Sequence, residues 1–279
     1  MADEQYDFII AGAGCAGLSL LYRILLDTQL QQKSILVIDK QPKDKNDRTW
    51  CYWEQDEGVF EPVVIRSWDK IAVYSESTAT VSNIHPYRYK MITGIDFYRH
   101  VMHLASQFPN VIFRYEKILG MKVVRHQAIV ITANSTFRAT RIFNSTSLYS
   151  TSGRNEPHLH FKGLRIHTEN DSFDPTLPVL MDFRVPQQDG SAFMYMLPLS
   201  KREALVEYTY FGNKYVMHAN FAEMLKNYII NVLNLTQFEI TGDEEGVLPL
   251  MCGCIPDHHR ERIIHIGAAA GCVKPGSGY

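Results

Sequence analysis

Ile9-Ile-Ala-Gly-Ala-Gly-Cys-Ala-Gly17 is an apolar run that breaks into Gly12-x-Gly14-x-x-Gly17, and a second apolar run, Ile35-Leu-Val-Ile-Asp39, follows at the distance a βαβ unit requires. Each glycine answers a separate steric demand: Gly12 permits a tight turn, Gly14 lets backbone approach a pyrophosphate, and Gly17 lets the helix pack closely on the strand. The helix that starts here offers an anion unpaired N–H groups and the positive end of its dipole. Gly12, Ala13, Gly14, Cys15, Ala16 and Gly17 are therefore the first candidate binding residues for a dinucleotide, joined by Asp39 and Lys40 at the end of the second strand. Asp39 would accept a hydrogen bond from a ribose 2′-hydroxyl, so the pattern predicts an adenosine without a 2′-phosphate.

Outward from this unit, Leu18, Leu21, Tyr22 and Leu25 recur at helical spacing before polar residues 27–34. Asn46-Asp-Arg-Thr-Trp-Cys-Tyr-Trp53 falls where the loop after the second strand would face a cofactor, and it also reads as a loop anchored in the core by Trp50 and Trp53. Residues 93–108 place Phe97, Val101, Leu104 and Phe108 on one helical face, and a short strand is expected over 110–115. Strand-like runs at 120–125, 128–133 and 136–145, separated by short polar turns, predict a β-meander. A dinucleotide domain interrupted by antiparallel sheet points to a flavin-dependent architecture with a second sheet domain threaded through the first. That second domain spans about 157–251, with strands at 179–183, 192–199 and 203–211 and a helix over 220–233. Its Met, Phe and Tyr content suits an apolar substrate and equally an ordinary core.

With 46% hydrophobic and 21% charged residues, the chain reads as a soluble globular protein. A net charge of −2 and the lack of a basic run argue against a nucleic-acid partner. Five scattered cysteines (15, 51, 252, 254 and 272) fit neither a disulfide framework nor a zinc pattern, and they imply a reducing cytoplasm. The apolar stretch 9–21 follows Asp3, Glu4 and Asp7 rather than lysines and arginines, unlike a signal peptide. No run reaches the roughly 18 uncharged residues of a spanning helix, so membrane contact is expected to be peripheral. His258, His259 and His265 lack a companion set with ligand spacing, so no metal site is expected.

The last motif is Ile264-His-Ile-Gly267-Ala-Ala-Ala-Gly271-Cys-Val-Lys-Pro275-Gly-Ser-Gly278-Tyr279, a strand running into a second glycine-rich turn. A flavin fold uses such a turn to bring the chain back across its cofactor, which makes Gly267, Ala268, Gly271, Pro275 and Gly278 the second group of candidate cofactor residues. The sequence stops where the following helix would begin, and a C-terminally truncated chain is the expectation.

Assembled in order, these blocks resemble the lycopene β-cyclase family of carotenoid-pathway flavoproteins. The likeness rests on the glycine fingerprint, Asp47-Arg-Thr-Trp50, Met181-Asp-Phe with Tyr195-Met-Leu-Pro-Leu199, Leu205-Val-Glu207-Tyr-Thr209, Gly246-Val-Leu-Pro249 and the 267–279 turn. Two departures stand out. The family often carries a second acid after the glutamate, where this chain has Tyr208, and its terminal turn usually reads Pro-Ser-Thr-Gly-Tyr, where this chain has Pro275-Gly-Ser-Gly-Tyr279. The first argues against any two-carboxylate mechanism; the second touches only the backbone near the flavin.

The resemblance implies an α/β fold: a Rossmann-like FAD-binding domain of the glutathione-reductase/hydroxylase kind over 1–58, 93–155 and 255–279, with an interleaved antiparallel β-sheet substrate domain over 59–92 and 156–254. It implies reduced FAD, NAD(P)H as the reductant, lycopene and related linear carotenoids as substrates, and a cytoplasmic protein peripherally bound to membrane. The reaction it implies adds a proton to a terminal double bond and removes another from the resulting carbocation, closing a β-ionone ring without net redox change. Protonating an alkene needs a carboxyl that stays neutral at pH 7 through burial. The resemblance assigns that role to Glu207, which shares one strand face with Leu205, Thr209 and Phe211. Taken without the family, a strand glutamate reads as solvent-facing. Tyr195, Tyr208 and Tyr210 are candidates for cation–π support of the carbocation. Asp182, Glu244 and Glu245 are candidates to assist proton transfer, and by residue type alone they read as solvated. The glycine fingerprints by themselves also admit a redox flavoenzyme, either an FAD-dependent monooxygenase or a prenyl-lipid reductase.

Overall fold

The computed structural model describes residues 5–146, 157–187, 190–212, 220–250, 262–274 and 278. Along the chain lie Gln5–Ala11 (β1), Cys15–Leu26 (α1), Ile35–Asp39 (β2), Thr49–Glu54 (β3), Val64–Trp68 (β4), Lys70–Tyr74 (β5), Ala79–Asn83 (β6) and Arg88–Thr93 (β7). Gly94–Ala105 (α2), Val111–Tyr115 (β8), Ile118–Val124 (β9), Gln127–Thr132 (β10) and Thr136–Asn144 (β11) follow. The remainder is His158–His167 (β12), Val179–Asp182 (β13), Ser191–Pro198 (β14), Glu203–Gly212 (β15), Phe221–Asn231 (α3), Glu239–Pro249 (β16) and Ile263–His265 (β17).

Two compact units share these elements: Met1–Lys45, Ile95–Gly153 and Leu250–Tyr279 form the first, Asn46–Gly94 and Arg154–Pro249 the second. Residues 46–58, expected with the nucleotide domain, fall in the second unit, because β3 zips antiparallel onto β7 from Thr49↔Thr93 to Glu54↔Arg88. The stretch expected as a loop is thus largely strand. Trp53 is 36% exposed, its ring packed on Tyr89 at 4.9 Å, so it is not a core anchor.

The first unit is a doubly covered sheet in the order β8-β2-β1-β11-β10-β9, with β17 beside β11. Strands β8, β2, β1, β11 and β17 pair in parallel, while β10 and β9 extend the sheet antiparallel. Ile9, Ile10 and Ile35 to Ile38 are wholly buried, as continuous apolar runs must be when both sheet faces are covered. The expected meander forms, and its last strand also inserts beside β1, from Gln5↔Arg138 to Ala11↔Asn144.

The second unit holds a seven-stranded sheet, β16-β12-β15-β14-β13-β5-β6, and a three-stranded sheet, β3-β7-β4. Period-two alternation divides β15 between two environments. Ala204, Val206, Tyr208 and Tyr210 pack with Phe221, Leu225, Tyr228 and Ile229 of α3 in one core cluster. Leu205, Glu207, Thr209 and Phe211 occupy the opposite face, where the chemistry lies.

Candidate active site

In the first unit the glycine turn meets the steric demands expected of it. Gly12 has φ +100, a conformation costly for residues with a Cβ. A Cβ at Gly17 would stand 1.9 Å from the Gly12 carbonyl oxygen, so only glycine lets α1 start this close to the turn. A Cβ at Gly14 would meet nothing within 4 Å, leaving open space for a ligand over the backbone. Gly14 caps α1 without a side-chain hydrogen bond, so the N–H groups of Cys15, Ala16 and Gly17 start a helix with its anion-binding end free of a competing side chain. Asp39 Oδ2 accepts the Ala13 N–H at 2.7 Å, tying the end of β2 to the turn. Lys40 is exposed, and Lys43, four residues beyond Asp39 and unremarked in the sequence, reaches Asp39 Oδ1 at 3.3 Å.

The second glycine turn docks on the first. Gly267 has φ +59, and a Cβ there would strike the Ala16 Cβ at 2.5 Å. Ala268 lies in the 3₁₀ turn Gly267–Ala270, which Gly271 ends in the left-handed conformation. The Gly278 N–H donates to the Lys274 carbonyl at 2.9 Å. Pro275, like Cys252, Cys254, His258, His259 and Tyr279, lies outside the described residues. A dinucleotide fits this chemistry, with an uncapped helix start, a side-chain-free approach at Gly14 and an acid at the strand end.

In the second unit, register builds a row across four strands. Glu207 on β15 faces Tyr195 on β14 and Gly163 on β12, and Gly163 faces Glu244 on β16. Residues directly opposite in antiparallel strands share a face, so both carboxyls stand on the side away from α3. Gly163 carries no side chain between them. A Cβ there would sit 3.1 Å from Glu244 Cγ, 3.1 Å from Leu205 Cδ1 and 3.5 Å from Glu207 Oε2.

The surroundings set the protonation. The Thr209 hydroxyl donates to Glu207 Oε1 at 3.0 Å, and the Thr49 hydroxyl donates to Glu244 Oε2 at 2.8 Å. Burial, and then the Glu244 carboxylate, push the Glu207 carboxyl up to about 8, against the pull of Thr209 and the Arg48 charge. Burial also raises Glu244, while Thr49, Arg48 and Arg165 restrain it. Glu207 therefore holds the proton and Glu244 is the better anion. Arg48 is fixed by donating to the Glu245 carbonyl at 2.9 Å and lies over the Phe161 ring at 5.8 Å. Cys51, on the neighbouring β3, is pushed up to about 12 by burial and by both glutamates.

The other candidates separate cleanly. Glu245 is exposed and pairs with Lys162 at 3.0 Å. Asp182 is buried and saturated by Arg184 at 2.6 Å and the Tyr228 hydroxyl at 2.7 Å, and these partners hold its carboxyl below the usual range although burial opposes them. Tyr195 shares the Glu207 face, whereas Tyr208 and Tyr210 point into the α3 core, where the Tyr208 ring lies 4.9 Å from that of Phe221. His265 Nδ1 meets the Asn144 amide nitrogen at 2.9 Å. Among the described residues no group of three or more His, Cys, Asp or Glu could hold a metal, and no helix is long and apolar enough to cross a membrane. Sequence reasoning missed Gly163, Arg48, Thr49 and Lys43; the Asp47-Arg-Thr-Trp50 block was the signal for two of them.

Known proteins resemble this chain in sequence and in fold. The chain is 23% identical to the lycopene beta-cyclase of Pantoea ananas over 99% of its own length and 71% of that protein's. It superposes on a geranylgeranyl bacteriochlorophyll reductase-like protein from Thermoplasma acidophilum with a TM-score of 0.71 at 15% identity, covering 99% of this chain and 74% of that one. It also superposes on a halogenase solved with phloroglucinol and FAD, at a TM-score of 0.64 and 12% identity, over 97% of this chain and 65% of that one. Identities this low establish the shared α/β fold of flavin-dependent enzymes. The model of the family described as lycopene cyclase protein matches residues 7–279, so this chain belongs to the lycopene cyclase family.

Proposed function

We propose that the chain is a lycopene β-cyclase, closing the linear ends of lycopene into β-ionone rings to give γ-carotene and then β-carotene. The observation that carries this reading is the Glu207 carboxyl, on a sheet face with Leu205 and Phe211 and raised to about 8, which keeps it a neutral proton donor at physiological pH. Its proton passes to the terminal double bond, the neighbouring double bond attacks the carbocation to form the ring bond, and loss of a ring proton completes an isomerisation. Phe193 and Tyr195 of β14 stand on the same face and supply π-faces that favour positive charge. The likeness to the FAD-bound halogenase supports FAD as cofactor, and NAD(P)H is the reductant that this reading assigns to it. Residues 12–17 would hold its pyrophosphate, Asp39 its ribose, and Gly267, Ala268, Gly271, Pro275 and Gly278 the turn beside it. When bound, the reduced flavin supplies negative charge that favours carbocation chemistry. Because the substrate dissolves in bilayers, peripheral membrane contact belongs to the same reading.

The test is chromatography of the pigments formed when the protein, with anaerobically reduced FAD, receives lycopene in lipid vesicles, with Glu207→Gln run in parallel. A β-ring product from the wild type and none from the variant is expected. Stoichiometric consumption of NAD(P)H with retained FAD and no ring product would overturn the reading in favour of a redox flavoenzyme.

A further inference from the structure

We propose that Glu244 is the second carboxylate of the acid site: with Glu207 it carries one proton across Gly163, and this pair lends the proton to the substrate and takes one back. The inference rests on the cyclase reading for the identity of the substrate, but not for the existence of the pair.

Three observations carry it. The register sets Glu207 and Glu244 on the same face on either side of Gly163, and the glycine leaves the space in which their carboxyls meet. Glu244 is only 8% exposed, and the Thr49 hydroxyl donates to its Oε2, which fixes that oxygen as an acceptor. The position after Glu207 cannot supply the partner, because residue 208 points into the α3 core. The carboxylate that the sequence lacks beside Glu207 is delivered from a strand two places away in the sheet. Among the described residues, Arg48, Arg165 and Cys51 also act on the pair.

The chemistry balances within the site. The Glu207 O–H bond breaks as a C–H bond forms at the terminal alkene carbon, and the alkene electrons leave a carbocation. The next double bond closes the ring, a ring C–H bond then breaks, its electrons form the ring double bond, and the proton returns to the pair. Two adjacent carboxylates exist only while the substrate is cationic, so their repulsion is offset when it would be largest. Glu244 acts on the substrate through Glu207 and is a positioning residue.

Infrared titration of the FAD-loaded protein reads the neutral carboxyl stretch without turnover. In the wild type that band is expected to vanish with a midpoint near 8. Glu207→Gln should remove it at neutral pH, and Glu244→Gln should lower the midpoint by at least about one pH unit, with the alkaline limb of the cyclisation profile following. Thr49→Val keeps the side-chain shape but removes the donor that stabilises the Glu244 anion, so it should raise the midpoint; this variant carries the test if Glu244→Gln does not fold. An unmoved midpoint in either variant, or an unmoved activity profile in a cyclising Glu244→Gln enzyme, overturns the proposal. A moved midpoint in a protein that yields no ring product leaves the shared proton standing and removes the cyclase reading instead.

Discussion

Replacing Glu207 with glutamine should stabilise the protein, and by an amount that grows with pH. Its carboxyl ionises near 4.5 in an unfolded chain and near 8 in the folded one. Between those values the unfolded state releases a proton that the folded state keeps. Stability therefore declines as pH rises through this window, and levels off above it. Each pH unit of the difference is worth about 1.4 kcal/mol, so the wild type forfeits about 3 kcal/mol by pH 7 and about 4 by pH 8. Glutamine copies the neutral acid: its amide can donate to Glu244 as the carboxyl does, and its oxygen can accept from Thr209, yet it never ionises. The two proteins should be equally stable at pH 4 and about 3 kcal/mol apart at pH 7, with the variant ahead. Urea unfolding followed by tryptophan fluorescence suits the purpose, because all three tryptophans, Trp50, Trp53 and Trp68, lie in the second unit with Glu207. A gap that stays constant from pH 4 to pH 8 would refute a folded-state proton on Glu207.

Other consequences are equally open to measurement. Gly17→Ala forces a Cβ to within 1.9 Å of the Gly12 carbonyl, so the variant should lose its flavin on gel filtration while the circular dichroism of the second unit's strands persists. Lys90 is 1% exposed, with its ammonium bonded to Glu54 at 2.9 Å and also to Glu61, so Lys90→Met should cost about 3 kcal/mol in urea by stranding both carboxylates. Tyr228→Phe removes a buried donor from Asp182 and should cost about 1–2 kcal/mol by the same assay. At pH 8 iodoacetamide should modify exposed Cys272 and leave Cys51 intact, since burial holds that thiol near 12; peptide mass mapping decides this, and rapid labelling of Cys51 would contradict it.

The parts of the fold that were legible are those in which local pattern and tertiary role coincide. Strand β1, its turn, α1 and β2 were readable because buried parallel strands need uninterrupted apolar runs and the turn needs glycine at fixed places. Strands β4 to β7 escaped notice because their patterns are short and mixed; β6 is exposed along its whole length. Strand β12 hid behind His158, His160, Lys162 and Arg165, polar residues that its two neighbours tolerate. The face of Glu207 followed from alternation, and the same alternation sends Tyr208 and Tyr210 the other way. The Glu244 contact was not readable, because it depends on the register of two ladders meeting at Gly163, and no local propensity encodes register between strands so far apart in sequence.

The docking of Gly267 on Ala16 joins positions about 250 residues apart, and β17 completes its sheet by pairing with β11 across an interruption of about 120. On a ribosome the helix start emerges early and waits, its sheet presenting an unpaired edge at β11, while the whole second unit is synthesised and has time to collapse on its own contacts. Dilution from denaturant removes that schedule. Every strand then competes for the open edge at once, so refolding in vitro should be slower and lower in yield than synthesis, with chain concentration deciding how much aggregates.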